Sequence, residues 1–237
     1  MSENGIRINK YIADSGVCSR READRLIDAG KVLINGKCVE PGMRVFDGDS
    51  VSVNGKVIGI EEEKLYFAFN KPVGIVCTAE KKEKNNIIDY IGYDKRLIYA
   101  GRLDKESEGL IILTNDGEMV NEMMRARNHH EKEYIVTVNK EITADFINKM
   151  CSGVYIEELD VTTRRCKVIP VNDDTFRIIL TQGLNRQIRR MCDTLGYKVV
   201  SLKRDRIMNI MLENLPVGEM RPLTTDELAD LKGLLNG

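Results

Sequence analysis

Residues 97–113 read LIYAGRLDKESEGLIIL, and this stretch organises the larger part of the chain. Two apolar runs, 97–100 and 110–113, have the composition of buried strands, and the polar residues between them predict a loop. One acid of this loop, Asp104, follows a glycine, an arginine and a leucine. A carboxylate on a loop between two buried strands is well placed for chemistry, although a loop acid can also simply cap a turn.

Extended and helical segments alternate from residue 65 onward. The patterns predict strands at 65–69, 134–138 and 176–180, and helices at 118–124 and 185–195, the last ending at Gly196. We expect three methionines of the first helix, Met119, Met123 and Met124, to lie in a core. Lys71 and Pro72, in the break after the first strand, are expected to shape a cleft.

Residues 6–60 have the pattern of a separate module, with two short helices followed by a small sheet. The run from Ser19 to Glu22 predicts a capping box, in which the serine hydroxyl and the glutamate each satisfy an amide at a helix start. Asn35-Gly36 and Asn54-Gly55 predict tight turns between strands. The charged residues 61–64 have no core potential and are interpreted as a linker.

Composition limits the classes of protein that fit. The chain has 237 residues, of which 42% are hydrophobic, so it can build one large domain or two smaller ones. It contains no run near the ~18 apolar residues of a membrane span and no apolar signal region at its start, which predicts a cytoplasmic protein without a membrane partner. Six cysteines without a C-x-x-C pair and two adjacent histidines favour reduced thiols over disulfides or a metal site.

The charge of the chain is unevenly distributed. The formal net charge is −1, but residues 181–206 contain seven basic and two acidic side chains. Residues 207–237 contain two basic and five acidic ones. A local positive field attracts a polyanion even when the whole protein is near neutral, so this segment indicates a nucleic-acid contact or, alternatively, an ordinary solvated basic face.

The module resembles the S4 RNA-binding domain over INKYIADSGVCSRREADRLIDAGKVLINGKCVEPGMRVFDGDSVSV, residues 8–53. The resemblance implies that the paired arginines Arg20 and Arg21 face RNA, with Arg25 and Lys10 nearby. The basic helical face inferred from the residues agrees with this.

The rest of the chain resembles the ribosomal pseudouridine synthases of types A, B, E and F, of which type A belongs to small-subunit RNA and the others to large-subunit RNA. Four motifs carry the resemblance in the family's order: FNKPVGIV (69–76), GRLDKESEGLIILTNDG (101–117), HEKEYIVTV (130–138) and GLNRQIRRMC (183–192). The last two motifs are most similar to the F-type branch. The expected architecture is therefore α+β, with an S4-like domain at 6–60, a linker at 61–64, and a catalytic domain at 65–237 that contains a mixed, mainly antiparallel sheet.

The resemblance implies three catalytic residues. Asp104 corresponds to the essential aspartate, which either attacks C1′ of the ribose or takes a proton from C2′ while the uracil is detached and rejoined through C5. Tyr134 corresponds to the tyrosine that stacks on the extruded base, and a core tyrosine is the alternative. Arg189 corresponds to an arginine that can pair with Asp104 through both ends of its guanidinium. His129 and His130 are not expected to have a chemical role.

Further residues are expected to contact RNA, in addition to the four of the S4 module. They belong to the loop around the aspartate and to the start of the basic helix: Arg102, Leu103, Lys105, Asn185, Arg186, Gln187 and Arg190. Substrate and product are isomers, so no cofactor or metal is expected.

The predicted reaction is conversion of a specific uridine to pseudouridine in 23S ribosomal RNA. A transfer RNA anticodon stem-loop is an alternative or additional substrate. A non-catalytic RNA-binding assembly factor of the same fold is the alternative from another class. Ribosomal RNA, with transfer RNA in second place, is the expected partner of a monomeric protein.

Overall fold

A computed structural model describes residues 5–60, 63–125 and 129–236. The chain divides into two compact units. The first comprises residues 1–65, 93–98 and 115–117, and the second comprises the remainder. Residues 61 and 62 of the predicted linker lie outside the described residues.

The first unit begins with a short strand and two helices, which are followed by five short strands. The elements are β1 (Ile6–Arg7), α1 (Ile8–Asp14), α2 (Arg20–Asp28), β2 (Val32–Ile34), β3 (Lys37–Cys38), β4 (Arg44–Val45), β5 (Val51–Val53) and β6 (Lys56–Ile58). Strands β3, β2, β5 and β6 form one antiparallel sheet in that order, and β1 pairs with β4. Ile8, Ile12, Ala23 and Ile27 of the helices pack into one buried cluster with the strand valines.

Local sequence explains how this unit is built. Asn35 and Asn54 adopt positive φ angles of 51° and 50° and are each followed by a positive-φ glycine, as the two predicted tight turns require. The Ser19 hydroxyl accepts a hydrogen bond from the Glu22 amide at 3.2 Å. The other half of the predicted capping box is replaced, because the Glu22 carboxylate accepts from Arg25 at 3.0 Å.

The remaining elements alternate between strands and helices. They are β7 (Tyr66–Lys71), α3 (Ile87–Ile91), β8 (Ile98–Ala100), β9 (Glu108–Thr114), α4 (Gly117–Met124), β10 (Lys132–Val138), α5 (Ala144–Ser152), β11 (Tyr155–Ile156), a 3₁₀ turn (Glu157–Leu159), β12 (Val161–Thr162), β13 (Lys167–Pro170), β14 (Thr175–Leu180), α6 (Gln187–Thr194), β15 (Val199–Ile207), β16 (Ile210–Met211), β17 (Met220–Pro222) and α7 (Thr225–Asn236).

A nine-stranded sheet forms the centre of the second unit. Seven strands lie in the order β13-β14-β10-β15-β9-β7-β17, with β16 beside β15 and β8 beside β9. The β10, β14 and β15 pairings are antiparallel, whereas β15 runs parallel to β9. The expected mixed and mainly antiparallel sheet is therefore confirmed.

The parallel junction between β9 and β15 depends on a glycine. Gly109 has φ = +110°, and a Cβ built on it would lie 2.3 Å from the main-chain oxygen of Arg204. No other residue fits this backbone conformation and this close approach without displacing a strand. The junction fixes Arg204 beside the end of the loop that contains Asp104.

Helices cover the sheet through two buried clusters. Phe146 of α5 and Met191 of α6 pack with Val136, Phe176 and Ile178 of the sheet. Burial of each such side chain contributes about 1.5–3 kcal/mol.

The second cluster lies under α4 and α7. Met119 and Met123 of α4 and Leu231 of α7 pack on Leu110 and Ile112 of β9. The expectation for Met124 is wrong, since its side chain is 46% exposed. It follows Met123 directly and therefore points about 100° away around the helix.

Strand β15 shows that the basic segment 181–206 is more than a solvated face. Arg204 is 1% exposed. Arg206 is paired with Glu131 and Glu133 at 2.9 and 3.0 Å. The positive field predicted from the sequence is therefore partly neutralised and partly buried. None of the described helices is long and apolar enough to cross a membrane.

Candidate active site

Asp104 lies in the loop between β8 and β9 and lines a cavity of about 580 Å³. Its side chain is 31% exposed. The loop turns sharply here, because the amide of Ser107 donates to the main-chain oxygen of Asp104 at 3.1 Å. Two neighbours fix the loop from the other side: the Gly74 amide donates to the Lys105 oxygen at 2.7 Å, and the Leu103 amide to the Cys77 sulfur at 3.4 Å.

Lys71 supports this loop from below. The side chain is completely buried, and Nζ donates to the main-chain oxygens of Ser107 at 2.8 Å and Pro72 at 2.7 Å. Burial lowers the pKa of Lys71, while the nearby Cys77 and Asp104 oppose that shift. The expected cleft-shaping role of Lys71 thus has a physical form, in which a buried cation links the end of the aspartate loop, at Ser107, to the segment that follows β7, at Pro72.

Arg189 on α6 reaches the same loop. Its Nη2 donates to the Glu106 oxygen at 3.0 Å and to the Ser107 hydroxyl at 3.2 Å, and Nη1 donates to the Val199 oxygen at 3.5 Å. The closest approach to Asp104 is 4.0 Å, from Nε to Oδ2. The buried Nε has no hydrogen-bond partner in the described part of the chain.

The bidentate pairing expected for Arg189 and Asp104 is therefore absent. The two ends of the guanidinium are occupied by loop and strand atoms, so one edge nitrogen alone faces the carboxylate. Arg189 contributes positive charge at 4.0 Å and a mechanical link between α6 and the loop. The sequence could not reveal this role of Arg189, because the groups that Arg189 binds are mainly backbone oxygens.

Arg186 places a second guanidinium near the aspartate. It precedes α6 in the left-handed conformation, with φ = 51°. Its Nη1 lies 2.7 Å from Glu106 Oε2 and 3.9 Å from Asp104 Oδ2. The hydrogen bond from Arg186 lowers the pKa of Glu106. The phosphate contact expected of Arg186 therefore competes with an ion pair inside the protein.

Tyr134 lies on β10 and lines the cavity. Its register partners are Ile178 on β14 and Arg204 on β15. The ring also packs against the buried cluster of α5 and α6. The side chain is half-buried. Tyr134 therefore packs against the core and also forms part of the cavity wall.

Arg204 lines the cavity as well, although the sequence does not single it out as a site residue. Its Nε donates to the Leu110 oxygen at 2.7 Å and its Nη2 to the Gly101 oxygen at 2.8 Å. Both acceptors are main-chain atoms that flank the aspartate loop. An arginine within a basic run carries no local signal for this burial.

The other predicted RNA contacts of this unit have different environments. Arg102 and Lys105 are exposed, as is Asn185, whereas Leu103 is 7% exposed and lines the cavity. Gln187 is 4% exposed, and its Oε1 accepts a hydrogen bond from the Leu184 amide at 3.0 Å, so its predicted contact with RNA could only be indirect.

Arg190 is partly committed within the protein. It pairs with Glu158 at 2.9 Å and donates to the Asn185 oxygen at 3.1 Å. A phosphate would have to compete with these partners.

The four predicted RNA contacts of the first unit lie on its helices. Arg20, Arg21 and Arg25 are exposed. Lys10 is half-buried and pairs with Asp14 at 3.1 Å. The three arginines thus form an open basic surface on α2.

The described ranges contain no group of three His, Cys, Asp or Glu side chains suited to hold a metal ion. His129 is exposed, with φ = 53°. His130 lines the cavity. Burial lowers the pKa of His130, and the nearby positive charge of Lys132 lowers it further.

The cavity brings together one half-buried carboxylate, a tyrosine and several cations around a space large enough for a nucleobase. This arrangement suits nucleophilic or acid–base chemistry on a flipped nucleotide.

Comparison with known proteins agrees with this chemistry. A family model described as RNA pseudouridylate synthase matches residues 65–194, and an S4 domain model matches residues 6–51. The dual-specificity RNA pseudouridine synthase RluF of Salmonella typhi is 53% identical over 239 residues, covering 100% of this chain and 82% of the relative.

Two further relatives extend the comparison. The ribosomal large subunit pseudouridine synthase B of Bacillus subtilis is 33% identical over 235 residues, which is 96% of either chain. A crystal structure of a pseudouridylate synthase superposes with a TM-score of 0.70 at 30% identity, over 96% of this chain and 100% of the other.

Proposed function

Because the chain belongs to the RNA pseudouridylate synthase family, we propose that it isomerises one uridine of 23S ribosomal RNA, with Asp104 as the catalytic carboxylate. The position of Asp104 carries this proposal. It is half-buried at a cavity of nucleobase size, on a loop held by Lys71, Arg189 and Arg204. A rigid support of this kind suits a group that must approach C1′ of a flipped nucleotide.

The reaction breaks the bond between N1 of uracil and C1′ of ribose and makes a bond between C5 and C1′. Asp104 would act at the sugar, either as a nucleophile on C1′ or as a base at C2′. Tyr134 would stack on the detached uracil and stand ready to move the C5 proton. Arg189 would position the aspartate loop and contribute charge next to the carboxylate. No cofactor takes part.

RNA binding would be shared by the two domains, which we delimit at 6–60 and 65–237 around a linker at 61–64. The exposed Arg20, Arg21 and Arg25 would contact phosphates, as would Arg102 and Lys105 at the cavity mouth. The remaining expected contacts would be weaker or indirect: Lys10, Leu103, Asn185, Arg186, Gln187 and Arg190. We place the activity in the cytoplasm and assign it to a monomer.

The names of the relatives support this choice of substrate. The Bacillus subtilis relative is called a large-subunit ribosomal enzyme, which favours 23S RNA. The Salmonella typhi relative is called a dual-specificity enzyme, which favours a second RNA. A transfer RNA anticodon stem-loop is therefore our second candidate substrate.

Pseudouridine mapping in a deletion strain tests the proposal. Carbodiimide-stop sequencing of total RNA should show one 23S uridine that loses its signal without the gene. Wild-type protein should restore the signal and Asp104→Asn should not. Asp145→Asn is the matched control, because Asp145 is an exposed helix residue paired with Lys149, and it should restore the signal fully.

The alternatives give different results in the same experiment. Loss of a signal from transfer RNA alone would move the substrate to the second candidate. Restoration by Asp104→Asn would favour a non-catalytic RNA-binding factor. An unchanged map would overturn the proposal for both RNAs.

A further inference from the structure

We propose that the Lys132 ammonium binds the negatively charged uracil while it is detached from the ribose, through a carbonyl oxygen of the base. The inference rests on the proposed function and assigns to the same cavity a group that recognises the intermediate. Lys132 lines this cavity together with Asp104 and Tyr134.

Strand alternation places Lys132 on the same side as Tyr134. The two residues are separated by one position on β10, so their side chains share a face. Lys132 lies opposite Leu180 on β14, and Tyr134 opposite Arg204 on β15. Leu180 and Arg204 also line the cavity. Lys132 and Tyr134 therefore form adjoining parts of one wall.

The neighbouring acids are occupied on the other side of the strand. Glu133 pairs with Arg177 at 2.8 Å and with Arg206 at 3.0 Å, and Glu131 pairs with Arg206 at 2.9 Å. No ion pair to Lys132 is found within the residues that the structure describes. Its one hydrogen bond is long, from Nζ to the His130 oxygen at 3.4 Å.

Charged and titratable groups surround Lys132 in the cavity wall. They are Arg204 on β15, Arg102, Asp104, Lys105 and Glu106 in the aspartate loop, Arg186 and Arg189 at and on α6, Arg125 after α4, His130 before β10, Tyr134 on β10, and Cys77. Burial lowers the pKa of Lys132 to about 8, and Arg204 contributes to the same shift. An anion bound next to the amine would favour its charged form and raise that pKa again.

Two other cations of the wall, Arg204 and Arg189, are less available than Lys132. Arg204 donates from Nε and Nη2 to main-chain oxygens. Arg189 donates from Nη2 to the aspartate loop and from Nη1 to β15. Lys132 has donor capacity left, since an ammonium offers three hydrogens. A half-buried ammonium without an acid is costly to fold and is therefore suited to a ligand that brings the negative charge.

The chemistry supplies such a ligand. When the N1–C1′ bond breaks, its electron pair remains on uracil and is shared with O2 and O4, while the Asp104 carboxylate either bonds to C1′ or takes a proton from C2′. When C5 attacks C1′, Asp104 leaves C1′ or returns the proton to C2′, C5 releases its proton and N1 takes one up, so atoms and charge balance. Between these steps the base carries a full negative charge. The neutral substrate does not carry this charge. A cation that binds the charged base therefore stabilises the intermediate more than the substrate and lowers the barrier to cleavage of the N1–C1′ bond.

The test uses the full chain and 23S ribosomal RNA transcribed with tritium at C5 of uridine. Pseudouridine formation releases the tritium, and saturating enzyme separates the reaction from binding. Lys132→Met should slow the single-turnover rate by about 10²-fold, as loss of one donor to a developing oxyanion does. Lys132→Arg should stay within tenfold of wild type, and RNA affinity should change less than threefold for both variants.

Several outcomes would overturn the assignment. They are a Lys132→Met rate within threefold of wild type, equal losses in the Met and Arg variants, or a loss of affinity with an unchanged rate, which would indicate a phosphate contact. If wild-type protein releases no tritium from 23S RNA or from transfer RNA transcripts, the proposed function itself fails, so the two failures are distinguishable.

Discussion

Arg189 approaches Asp104 edge-on, with Nε 4.0 Å from Oδ2, while the two terminal nitrogens of its guanidinium bind the backbone and a serine hydroxyl. The arginine thus influences the aspartate in two ways, by charge and by the position of the loop. This division determines how substitutions at the site should behave.

Asp104→Asn should lower the single-turnover rate by about 10⁴-fold, because the amide keeps the shape of the side chain but cannot act as nucleophile or base. Filter binding should show RNA affinity close to that of wild type. A rate within tenfold of wild type would exclude Asp104 as the essential group.

Arg189→Lys should slow turnover by about 10²-fold with little change in affinity. A lysine keeps the charge but cannot hold Glu106, Ser107 and Val199 at the same time. Arg186→Lys is the matched control, since an ammonium can make its hydrogen bond to Glu106 at 2.7 Å and keep a positive charge near Asp104, and it should lose less than tenfold. Equal effects of the two substitutions would argue against the loop-holding role.

Gly109→Ala should destabilise the protein by more than about 3 kcal/mol, because its Cβ would lie 2.3 Å from a strand oxygen in an unfavourable φ region. Gly183→Ala is the control, as a Cβ there meets nothing within 4 Å. Denaturant unfolding monitored by circular dichroism measures both. A Gly109→Ala variant as stable as the control would mean that the parallel junction relaxes freely.

Replacing Arg20, Arg21 and Arg25 by alanine should weaken RNA binding and flatten its salt dependence. Each lost phosphate contact should reduce the log–log slope by about 0.7–0.9. The control is Lys149→Ala. Lys149 lies on α5, where it pairs with Asp145, and its replacement should leave the slope unchanged. A salt series that gives identical slopes for both proteins would exclude these arginines from the interface.

Lys132→Met should make the protein more stable at neutral pH. Below pH 8 the wild-type amine is charged in the folded and unfolded states. Burial of this charge therefore lowers the free energy of unfolding by its full amount, on the order of 3 kcal/mol. Above pH 8 the folded protein releases the proton while the unfolded chain holds it up to about pH 10.5.

The stability difference between variant and wild type should therefore shrink between pH 8 and 10.5. Thermal melts over this pH range measure it. A variant less stable than wild type at pH 7 would contradict the cost assigned to the buried ammonium.

Local patterns in the sequence predict much of the site. The apolar runs on either side of its loop mark Asp104, whereas Tyr134 is identified through the resemblance of its motif to the family. Helix α6 is predicted two residues too long at its start, since Asn185 and Arg186 have helix-compatible chemistry but Arg186 adopts a left-handed backbone.

The remaining features depend on partners that are distant in the sequence. Strand β15 escapes prediction because the run Lys203-Arg204-Asp205-Arg206 hides its alternation. Arg204 is nevertheless buried, because carbonyl groups 94 and 103 positions away satisfy its guanidinium. The availability of Lys132 likewise depends on where the partners of Glu131 and Glu133 lie, which only the fold determines.

The same long separations set an order of events during synthesis of the chain. The S4 helices and the aspartate loop leave the ribosome before the residues that hold this loop in place, and Arg189 and Arg204 follow Ser107 and Gly101 by 82 and 103 positions. Contacts this far apart close slowly, because the intervening chain must first be ordered. A nascent chain can therefore form its S4 helices well before the loop that contains Asp104 is held in place.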